Sequence, residues 1–286
     1  MQTRHIGSVE VSAIGLGAMH LSRQDVDPER ATATVHAALD AGMTLIDTAD
    51  AYAPDENSMG HNERVVAEAL RSYGADTSHV LVATKGGHVR TAGGGWDLDG
   101  RPDYLRQACE RSLRVLGVEA IGVYQHHRPD PKVPYEDTMG ALKELHDAGK
   151  VRAVGISNAD VDQIRTAQAV LGDALVSVQN ELSPAFRSSE GELEYCTEHG
   201  LAFLPWSPFG GMSGAAELGS RFAAFGEVAR AHGVSAQAVC LAWLLAKSPV
   251  MVPIPGSSRP ETAKDSAAAA ELPLTDEERA RLDETA

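Results

Sequence analysis

Four side chains of this sequence have the types needed for proton transfer, and they lie at or just beyond the ends of short, largely apolar runs. Asp47 ends the run MTLID, Lys85 ends VLVATK, and His127 follows IGVYQH. Tyr52 lies five residues after Asp47. An ammonium beside a tyrosine favours the phenolate and lowers the phenol's pKa from its ordinary value of about 10. With Asp47 holding Lys85 in place and His127 donating to a carbonyl oxygen, the set predicts proton donation in carbonyl reduction, without a metal or a covalent nucleophile.

The apolar residues of the chain recur with a period that alternates between that of strands and that of helices. Glycines such as Gly42, Gly117 and Gly149 mark predicted helix ends. Parallel strands must be joined by crossovers, and eight strand-helix units close into a barrel more readily than they form an open sheet. The sequence therefore predicts an α/β fold, a (β/α)8 TIM barrel, as a single domain over residues 1–286. The predicted barrel strands are Ala13–Leu16, Met43–Asp47, Val80–Thr84, Ile121–Tyr124, Val151–Ile156, Leu175–Val178, Leu201–Leu204 and Val250–Pro253.

Three additions to the barrel are predicted. A short β-hairpin over Arg4–Val11, with Gly7 at its centre, precedes the first barrel strand. Two helices, near Arg221–His232 and Ala236–Lys247, lie between the seventh and eighth strands. A last helix, Asp276–Thr285, follows the one that begins near Pro260, so the extra helices are near the C-terminus.

The chemistry of a TIM barrel gathers at the C-terminal ends of its strands. Asp47, Lys85 and His127 follow three different predicted strands, so they are expected to meet at one mouth. Adjacent residues of a strand face opposite sides, so only one of His126 and His127 can face this mouth. We expect His126 to pack outward.

The composition excludes several classes of function. The 286 residues include 25 Lys and Arg against 40 Asp and Glu, a formal net charge of −15, which argues against nucleic acid and anionic membranes as partners. Cys109, Cys196 and Cys240 form no CxxC pair and are predicted to be buried, reduced thiols. The sequence has no signal-peptide pattern and no run near the roughly 18 apolar residues of a membrane span. We therefore expect a cytoplasmic protein that acts on a small molecule.

The same residues lie in segments that, taken together and in chain order, resemble the aldo-keto reductases. The resemblance implies an NADPH-dependent reductase of small carbonyl substrates, with NADPH/NADP+ as cofactor, in a monomeric barrel. The segments are GLGAM (Gly15–Met19), DTADAY (Asp47–Tyr52), ATKGG (Ala83–Gly87), YQHHRPD (Tyr124–Asp130), GISN (Gly155–Asn158), VQNELSP (Val178–Pro184), PWSPFGG (Pro205–Gly211) and IPGSSRPE (Ile254–Glu261).

The resemblance also assigns roles to individual residues. The family's catalytic tetrad falls on Asp47, Tyr52, Lys85 and His127, with Tyr52 as the proton donor. Its strand-end histidine immediately precedes an R-P or W-P step, which again selects His127 over His126.

The cofactor contacts implied by the resemblance divide into two groups. Around the nicotinamide, Ser157, Asn158 and Gln179 match the residues that hold the carboxamide, and Trp206 matches the aromatic residue that stacks on the ring. In the final motif, Ser257 and Arg259 match residues that bind the 2′-phosphate just before a helix, where backbone N–H groups also favour an anion. Thr262 and Asp265 match residues that face the adenine, and the remaining implied cofactor contacts are Gly17, Ala18, Met19, Asp47, Ser207, Pro208 and Gly210.

The substrate loops match the family least. Residues 86–101 include three consecutive glycines and a single tryptophan, Trp96, and are predicted to form a mobile flap. The alternative is a disordered loop with Trp96 packed on the surface. The chain has no long C-terminal loop to cover the site, so an open pocket for varied aldehydes is expected. The predicted pocket residues are Met19, Tyr52, Trp96, His127 and Phe209.

Three other functions are compatible with parts of the sequence. A metal-dependent barrel hydrolase would use Asp47, Asp50, His126 and His127, but gives no role to Lys85 or Tyr52. A regulatory or sensor subunit would bind NADPH without turnover, and a generic barrel would not bind NADPH at all. The natural carbonyl substrate is not specified by the sequence, and pyridoxal is one candidate.

Overall fold

A computed structural model describes residues 1–211 and 214–285 of the chain. Its secondary structure alternates between strands and helices over most of that length. The strands are β1 (Thr3–Ile6), β2 (Val9–Ser12), β3 (Leu16–Gly17), β4 (Leu45–Asp47), β5 (Leu81–Gly86), β6 (His88–Arg90), β7 (Trp96–Leu98), β8 (Ile121–His126), β9 (Val151–Ser157), β10 (Leu175–Gln179) and β11 (Ala202–Phe203). The helices are α1 (Pro28–Asp40), α2 (His61–Ser72), α3 (Pro102–Leu116), α4 (Tyr135–Asp147), α5 (Val161–Leu171), α6 (Glu190–His199), α7 (Gly214–Arg221), α8 (Ala223–His232), α9 (Ala236–Lys247), α10 (Pro260–Ala268) and α11 (Asp276–Thr285).

Seven strands form a curled parallel sheet in the spatial order β3-β4-β5-β8-β9-β10-β11. Its two edges are joined by residues 250–256. Met251 forms a parallel bridge with Phe203 of β11, and Gly256 forms one with Gly17 of β3. The backbone N–H of Val252 donates to Phe203 at 2.8 Å, and that of Gly15 donates to Pro253 at 2.9 Å. This segment therefore occupies the eighth position and closes the predicted (β/α)8 barrel.

The eighth segment is not the regular strand that was predicted at Val250–Pro253. Pro253 and Pro255 have no N–H to donate, so a continuous hydrogen-bond ladder cannot form there. The first barrel strand is also shorter than Ala13–Leu16, because residues 13 and 14 form a bend that carries the chain from β2 into the barrel. The other six strands have both ends within two residues of their predicted positions.

The N-terminal hairpin closes one end of the barrel, as an antiparallel pair of β1 and β2. Ile6 and Val11 are buried in the apolar cluster that fills the barrel, together with Leu45 and Leu81 near the starts of β4 and β5. A second, larger cluster lies between the barrel and its helices. The free mouth is therefore at the C-terminal ends of the strands, as the sequence predicted.

The helices around the barrel follow the predicted pattern with one addition. Two helices were predicted before the eighth strand, and the described residues there form three, since α7 precedes α8 and α9. The α7 sequence, GAAELGSR, contains two glycines, which lower helix propensity, and this helix was therefore not predicted. Among the described residues, no single helix is long and apolar enough to cross a bilayer. Helices α8 and α9 pass that test only as a pair, which is bent by 102°.

Buried polar groups cluster between β5, β8, α2 and α3, behind the loop that follows β4. Glu63 of α2 accepts a 2.6 Å hydrogen bond from Thr84. Both carboxylate oxygens of Asp50 lack a hydrogen-bond partner in the described residues, as does the Tyr124 hydroxyl. Arg111 lies 3.8 Å from the Asp50 carboxylate. Burial, reinforced by the negative charge of Glu63, raises the pKa of Asp50 well above its ordinary value of 3.8. Asp50 therefore keeps its proton to a much higher pH than a free aspartate.

This burial predicts a pH-dependent stability. In the unfolded chain Asp50 ionises near 3.8, whereas in the folded protein it stays protonated, so the folded state binds the extra proton above that pH. The contribution of Asp50 to the free energy of unfolding therefore falls as the pH rises from about 4 to about 7. Asp50→Asn lacks this titration, so its melting temperature relative to wild type should rise over the same range. Asp162→Asn, at an exposed residue of α5, is the matched control. If the melting temperatures of Asp50→Asn and wild type change with pH in parallel, Asp50 is ionised in the folded protein.

Candidate active site

The four predicted catalytic side chains meet at the open end of the barrel. Lys85, near the end of β5, is completely buried. Its Nζ lies 2.7 Å from Oδ2 of Asp47, which ends β4, and 3.2 Å from the hydroxyl of Tyr52. The same Nζ donates to the backbone oxygen of Thr48 at 2.9 Å. The ring of His127 packs edge-to-face on that of Tyr52, with centroids 5.6 Å apart.

The second carboxylate oxygen of Asp47 is held by two glutamines. Oδ1 accepts from Nε2 of Gln179 at 2.8 Å and from Nε2 of Gln125 at 3.2 Å. Gln125 was not predicted, although it lies two residues before His127 and strand alternation puts both on one face. Gln179 was predicted to hold a nicotinamide carboxamide; its Nε2 is used for Asp47, so only its Oε1 is available for that role.

The protonation states follow from burial and the neighbouring charges. Burial alone lowers the pKa of Lys85, but Asp47 and Tyr52 outweigh it and raise the pKa above the ordinary value. Burial raises the pKa of Tyr52, and the Lys85 charge opposes this without cancelling it. The expectation that Lys85 brings the pKa of Tyr52 below its ordinary value is therefore wrong, because it ignored desolvation of the phenolate. Tyr52 is a protonated phenol at neutral pH.

His126 and His127 occupy opposite sides of the barrel wall, as alternation predicted. The His127 ring lines the cavity at the mouth. Burial, reinforced by Lys85, lowers the pKa of His127 well below its usual range, so its imidazole is neutral at pH 7. His126 is also buried, but its ring packs against that of Tyr135 in α4, with centroids 5.8 Å apart. Burial lowers the pKa of His126 to about 4.

A cavity of about 500 Å³ opens above these residues. Most of the predicted cofactor and substrate residues line it. They are Gly17, Met19, Asp47, Tyr52, Trp96, His127, Ser157, Asn158, Gln179, Trp206, Ser207, Pro208 and Phe209. Lys85 lies beneath the lining. Two predicted contacts, Ala18 and Gly210, do not line the cavity, and the buried Ala18 uses its backbone oxygen to accept from Asn62.

The predicted phosphate and adenine residues lie outside this cavity, at the start of α10. Gly256 lines the cavity, and the buried Ser257 follows it directly. Arg259 is the exposed N-cap residue of α10, and its backbone oxygen accepts from the Thr262 hydroxyl at 2.9 Å. Asp265 accepts a 2.6 Å hydrogen bond from Ser235, the N-cap of α9. These residues therefore continue from the cavity edge along the first turns of α10.

Two cavity residues have an uncommon backbone conformation. Asn158 has a φ of 57° and Ser207 a φ of 48°, and they are the only non-glycine residues with positive φ in the part of the chain that the structure describes. Such conformations are costly and persist where the surrounding structure holds them. The Asn158 side chain is fixed by donating to the backbone oxygen of His127 at 3.0 Å and to Ser157 at 2.9 Å. Both strained residues were predicted as cofactor contacts.

The segment after β5 forms a β-hairpin. Strands β6 and β7 pair antiparallel, and Gly93 and Gly94 have the positive φ values that a tight turn requires. The glycines therefore form the turn of the hairpin, and that this hairpin moves as a flap stays a prediction. Trp96 is 44% exposed and stacks on His88, with ring centroids 4.4 Å apart. The hairpin thereby covers one side of the mouth.

Several cavity residues were missed in the sequence. His88 packs edge-to-face on His127 with centroids 4.9 Å apart, and the Arg128 guanidinium lies 5.9 Å from the centroid of the Trp206 ring. Their positions, three residues after Lys85 and one after His127, were the available signals. The other lining residues not predicted are His20, Gly211, Ala215, Ile254 and Gly256.

The metal-dependent alternative required Asp47, Asp50, His126 and His127 to converge. Asp47 is instead held by Lys85 and the two glutamines, and the histidines face opposite sides of the wall. Within the described residues, no group of three or more His, Cys, Asp or Glu side chains is arranged to hold a metal ion.

Comparison with known proteins agrees with this geometry. The chain is 37% identical over 266 residues to 6-dehydroglucose reductase of Novosphingobium aromaticivorans, covering 90% of this chain and 86% of that protein. It is 36% identical to an uncharacterized oxidoreductase of Schizosaccharomyces pombe, covering 99% of this chain and 89% of that protein. The crystal structure of an aldo-keto reductase from Klebsiella pneumoniae in complex with NADPH superposes with a TM-score of 0.81 at 26% identity, covering 99% of this chain and 94% of that one. The sequence model of the Aldo/keto reductase family matches residues 13–286, and the chain therefore belongs to the Aldo/keto reductase family.

Proposed function

We propose that this protein reduces aldehyde and ketone carbonyls to alcohols with NADPH, and that Tyr52 donates the proton. The observation that carries the proposal is the buried Lys85 ammonium, which contacts both Asp47 and Tyr52 beneath a cavity lined by His127. Family membership and the NADPH-bound Klebsiella relative support the same reaction class.

The cavity has features that fit a nicotinamide cofactor. Trp206 offers a flat aromatic surface, and Ser157, Asn158 and Gln179 place polar groups on the same wall. Gly17 lines the same cavity and lets β3 pack closely on the eighth segment, because a Cβ there would lie 2.7 Å from the backbone oxygen of Ile254. We assign the 2′-phosphate to Ser257 and Arg259 at the start of α10. When bound, NADPH supplies the hydride to the carbonyl carbon.

The residues of this chain supply the proton and the electrostatic stabilisation. Because burial keeps Tyr52 protonated, its hydroxyl is available as an acid at neutral pH. Lys85, kept charged by Asp47, stabilises the phenolate that remains after the proton leaves. The neutral imidazole of His127 donates a hydrogen bond to the carbonyl oxygen as negative charge develops there.

The first test is turnover. NADPH oxidation should be measured with aldehydes, ketones and pyridoxal, and the name of the Novosphingobium relative adds 6-dehydroglucose to this panel. NADPH binding without any turnover would favour a regulatory or sensor subunit. If NADPH does not bind at all, the protein is a barrel with a function unrelated to NADPH.

Tyr52→Phe should keep the fold and NADPH binding but lower kcat by roughly 10²–10⁴-fold, the usual size of a general-acid contribution. The ring still packs in this variant, while the proton source is lost. Stopped-flow kcat and the cofactor Kd should be measured side by side. Tyr73→Phe, which loses only the hydrogen bond to Asp40, is the matched control and should keep wild-type kcat. Near-normal turnover by Tyr52→Phe would remove this hydroxyl from the mechanism.

The two neighbouring histidines should differ in the effect of their loss. His127→Ala removes the cavity imidazole and should strongly depress kcat/KM, with little change in melting temperature. His126→Ala removes a buried ring that packs on Tyr135, so it should mainly lower the free energy of unfolding, by about 2–5 kcal/mol. Steady-state kinetics and thermal melts of both variants check this ranking. The reverse ranking would contradict the assignment of His127 to the carbonyl.

NADPH should bind more tightly than NADH, with Arg259 contributing much of the preference. A 2′-phosphate adds nearly two negative charges, which the chain's net charge of −15 repels, so short-range contacts must provide the discrimination. Arg259→Ala should weaken NADPH by roughly 10- to 100-fold and leave NADH little changed. Fluorescence titration of both cofactors tests this. Equal losses for the two cofactors would move the phosphate site to another residue, such as the exposed Lys264 of α10.

A further inference from the structure

The charge of the active-site cavity is not balanced by the residues that the structure describes. The permanently charged residues that line it are Asp47 and Arg128. The Asp47 carboxylate is neutralised by Lys85 at 2.7 Å and accepts from two glutamines. Arg128 forms no hydrogen bond or ion pair with any of the described residues, and its guanidinium lies over the Trp206 ring. One positive charge at the mouth of an acidic protein is therefore left without an anionic partner among the described residues.

The other basic groups at the mouth are either neutral at pH 7 or already bound to other residues. The pKa of His88 is lowered to about 4 by burial and by Arg128 and Arg90, so His88 is neutral at pH 7. His20 and His127 also have lowered pKa values, with burial as the main cause. Arg90 is engaged, because it donates to the backbone oxygen of Pro54 at 3.1 Å and stacks over Trp96. Arg128 is thus the one permanent cation among the described lining residues that is open to a ligand.

The nearby acidic side chain, Glu181, does not neutralise Arg128. The Arg128 charge opposes the rise that burial causes in the pKa of Glu181, so the two groups are within electrostatic range. They nevertheless form no ion pair. Arg128 directly follows His127, and its charge also acts on Tyr52, so a group held by the guanidinium would lie close to the reacting carbonyl.

We propose that Arg128 selects carbonyl substrates that carry a carboxylate, which its guanidinium binds through paired hydrogen bonds while Tyr52 and His127 engage the carbonyl oxygen. This inference rests on the proposed reductase function. The planar fork of an arginine matches a carboxylate better than a lysine does. The aromatic side chains of Trp96 and Phe209 suit the hydrocarbon part of such a substrate. The cavity, about 500 Å³ and shared with the nicotinamide, favours a small oxo acid.

The test compares each charged carbonyl with its own neutral ester. The pairs are 4-oxobutanoate with its methyl ester and 4-carboxybenzaldehyde with its methyl ester, each assayed with NADPH. Wild type should have a higher kcat/KM for the acid of each pair. Arg128→Gln should lower the acid-to-ester ratio by roughly 10- to 100-fold, the value of lost charge-assisted hydrogen bonds. Arg106→Gln, at a surface arginine of α3 that pairs with Glu144, is the matched control and should leave the ratio unchanged.

Further measurements separate the competing explanations. Arg128→Lys keeps the positive charge but lacks the planar guanidinium, so its acid-to-ester ratio of kcat/KM should fall between those of wild type and Arg128→Gln. Arg128→Lys also tests the proposal if Arg128→Gln does not fold. The NADPH Kd should be unchanged in both variants. A loss of NADPH affinity equal to the loss for the acid would assign Arg128 to the cofactor and overturn the proposal. Turnover of both members of each pair at equal rates would overturn it while leaving the reductase function intact, whereas no turnover of any carbonyl would reject the reductase function itself.

Discussion

The buried ion pair between Lys85 and Asp47 is the interaction on which the rest of the site depends. An isolated ammonium or carboxylate in the interior costs several kcal/mol of lost hydration, and their mutual attraction compensates only when further hydrogen bonds complete the pair. Here Thr48, Tyr52, Gln125 and Gln179 supply those hydrogen bonds. The ion pair and its hydrogen-bond partners come from β4, the loop after it, β5, β8 and β10. Closure of the barrel is therefore what makes this charge arrangement stable, and no single strand-helix unit could hold it.

The same barrel wall gives two adjacent histidines different properties. His126 and His127 are identical in type and both neutral, because burial lowers the pKa of each. Only His127 reaches the cavity, while His126 fills space against Tyr135. The difference comes from strand alternation alone, which shows why a register error of one residue would exchange a cavity-lining side chain for one that packs outside the cavity.

The sequence predicted those features that depend on local periodicity. Strand and helix spacing placed six of the eight barrel strands within two residues of their ends, and it therefore also placed Asp47, Lys85 and His127 at one mouth. The irregular eighth segment could have been recognised from Pro253 and Pro255, and Gln125 from its spacing to His127. The pKa of Tyr52 could not, because it depends on desolvation by segments distant in sequence. The hairpin over residues 88–98 likewise brings His88 and Trp96 over the mouth through contacts that no local pattern encodes.

Asn158 and Ser207 show how the fold prepares the cavity before any ligand enters. A positive φ in a non-glycine residue costs of order 1–3 kcal/mol, so it survives only where other contacts over-determine it. At Asn158 those contacts run to His127 and Ser157, which joins the conformation of this cavity wall to the position of His127. Because this cost is already met in the folded chain, a ligand that contacts Asn158 does not have to impose the conformation. The wall that we assign to the nicotinamide and the histidine that we assign to the carbonyl are thus held by one hydrogen-bonded unit, which fixes their separation.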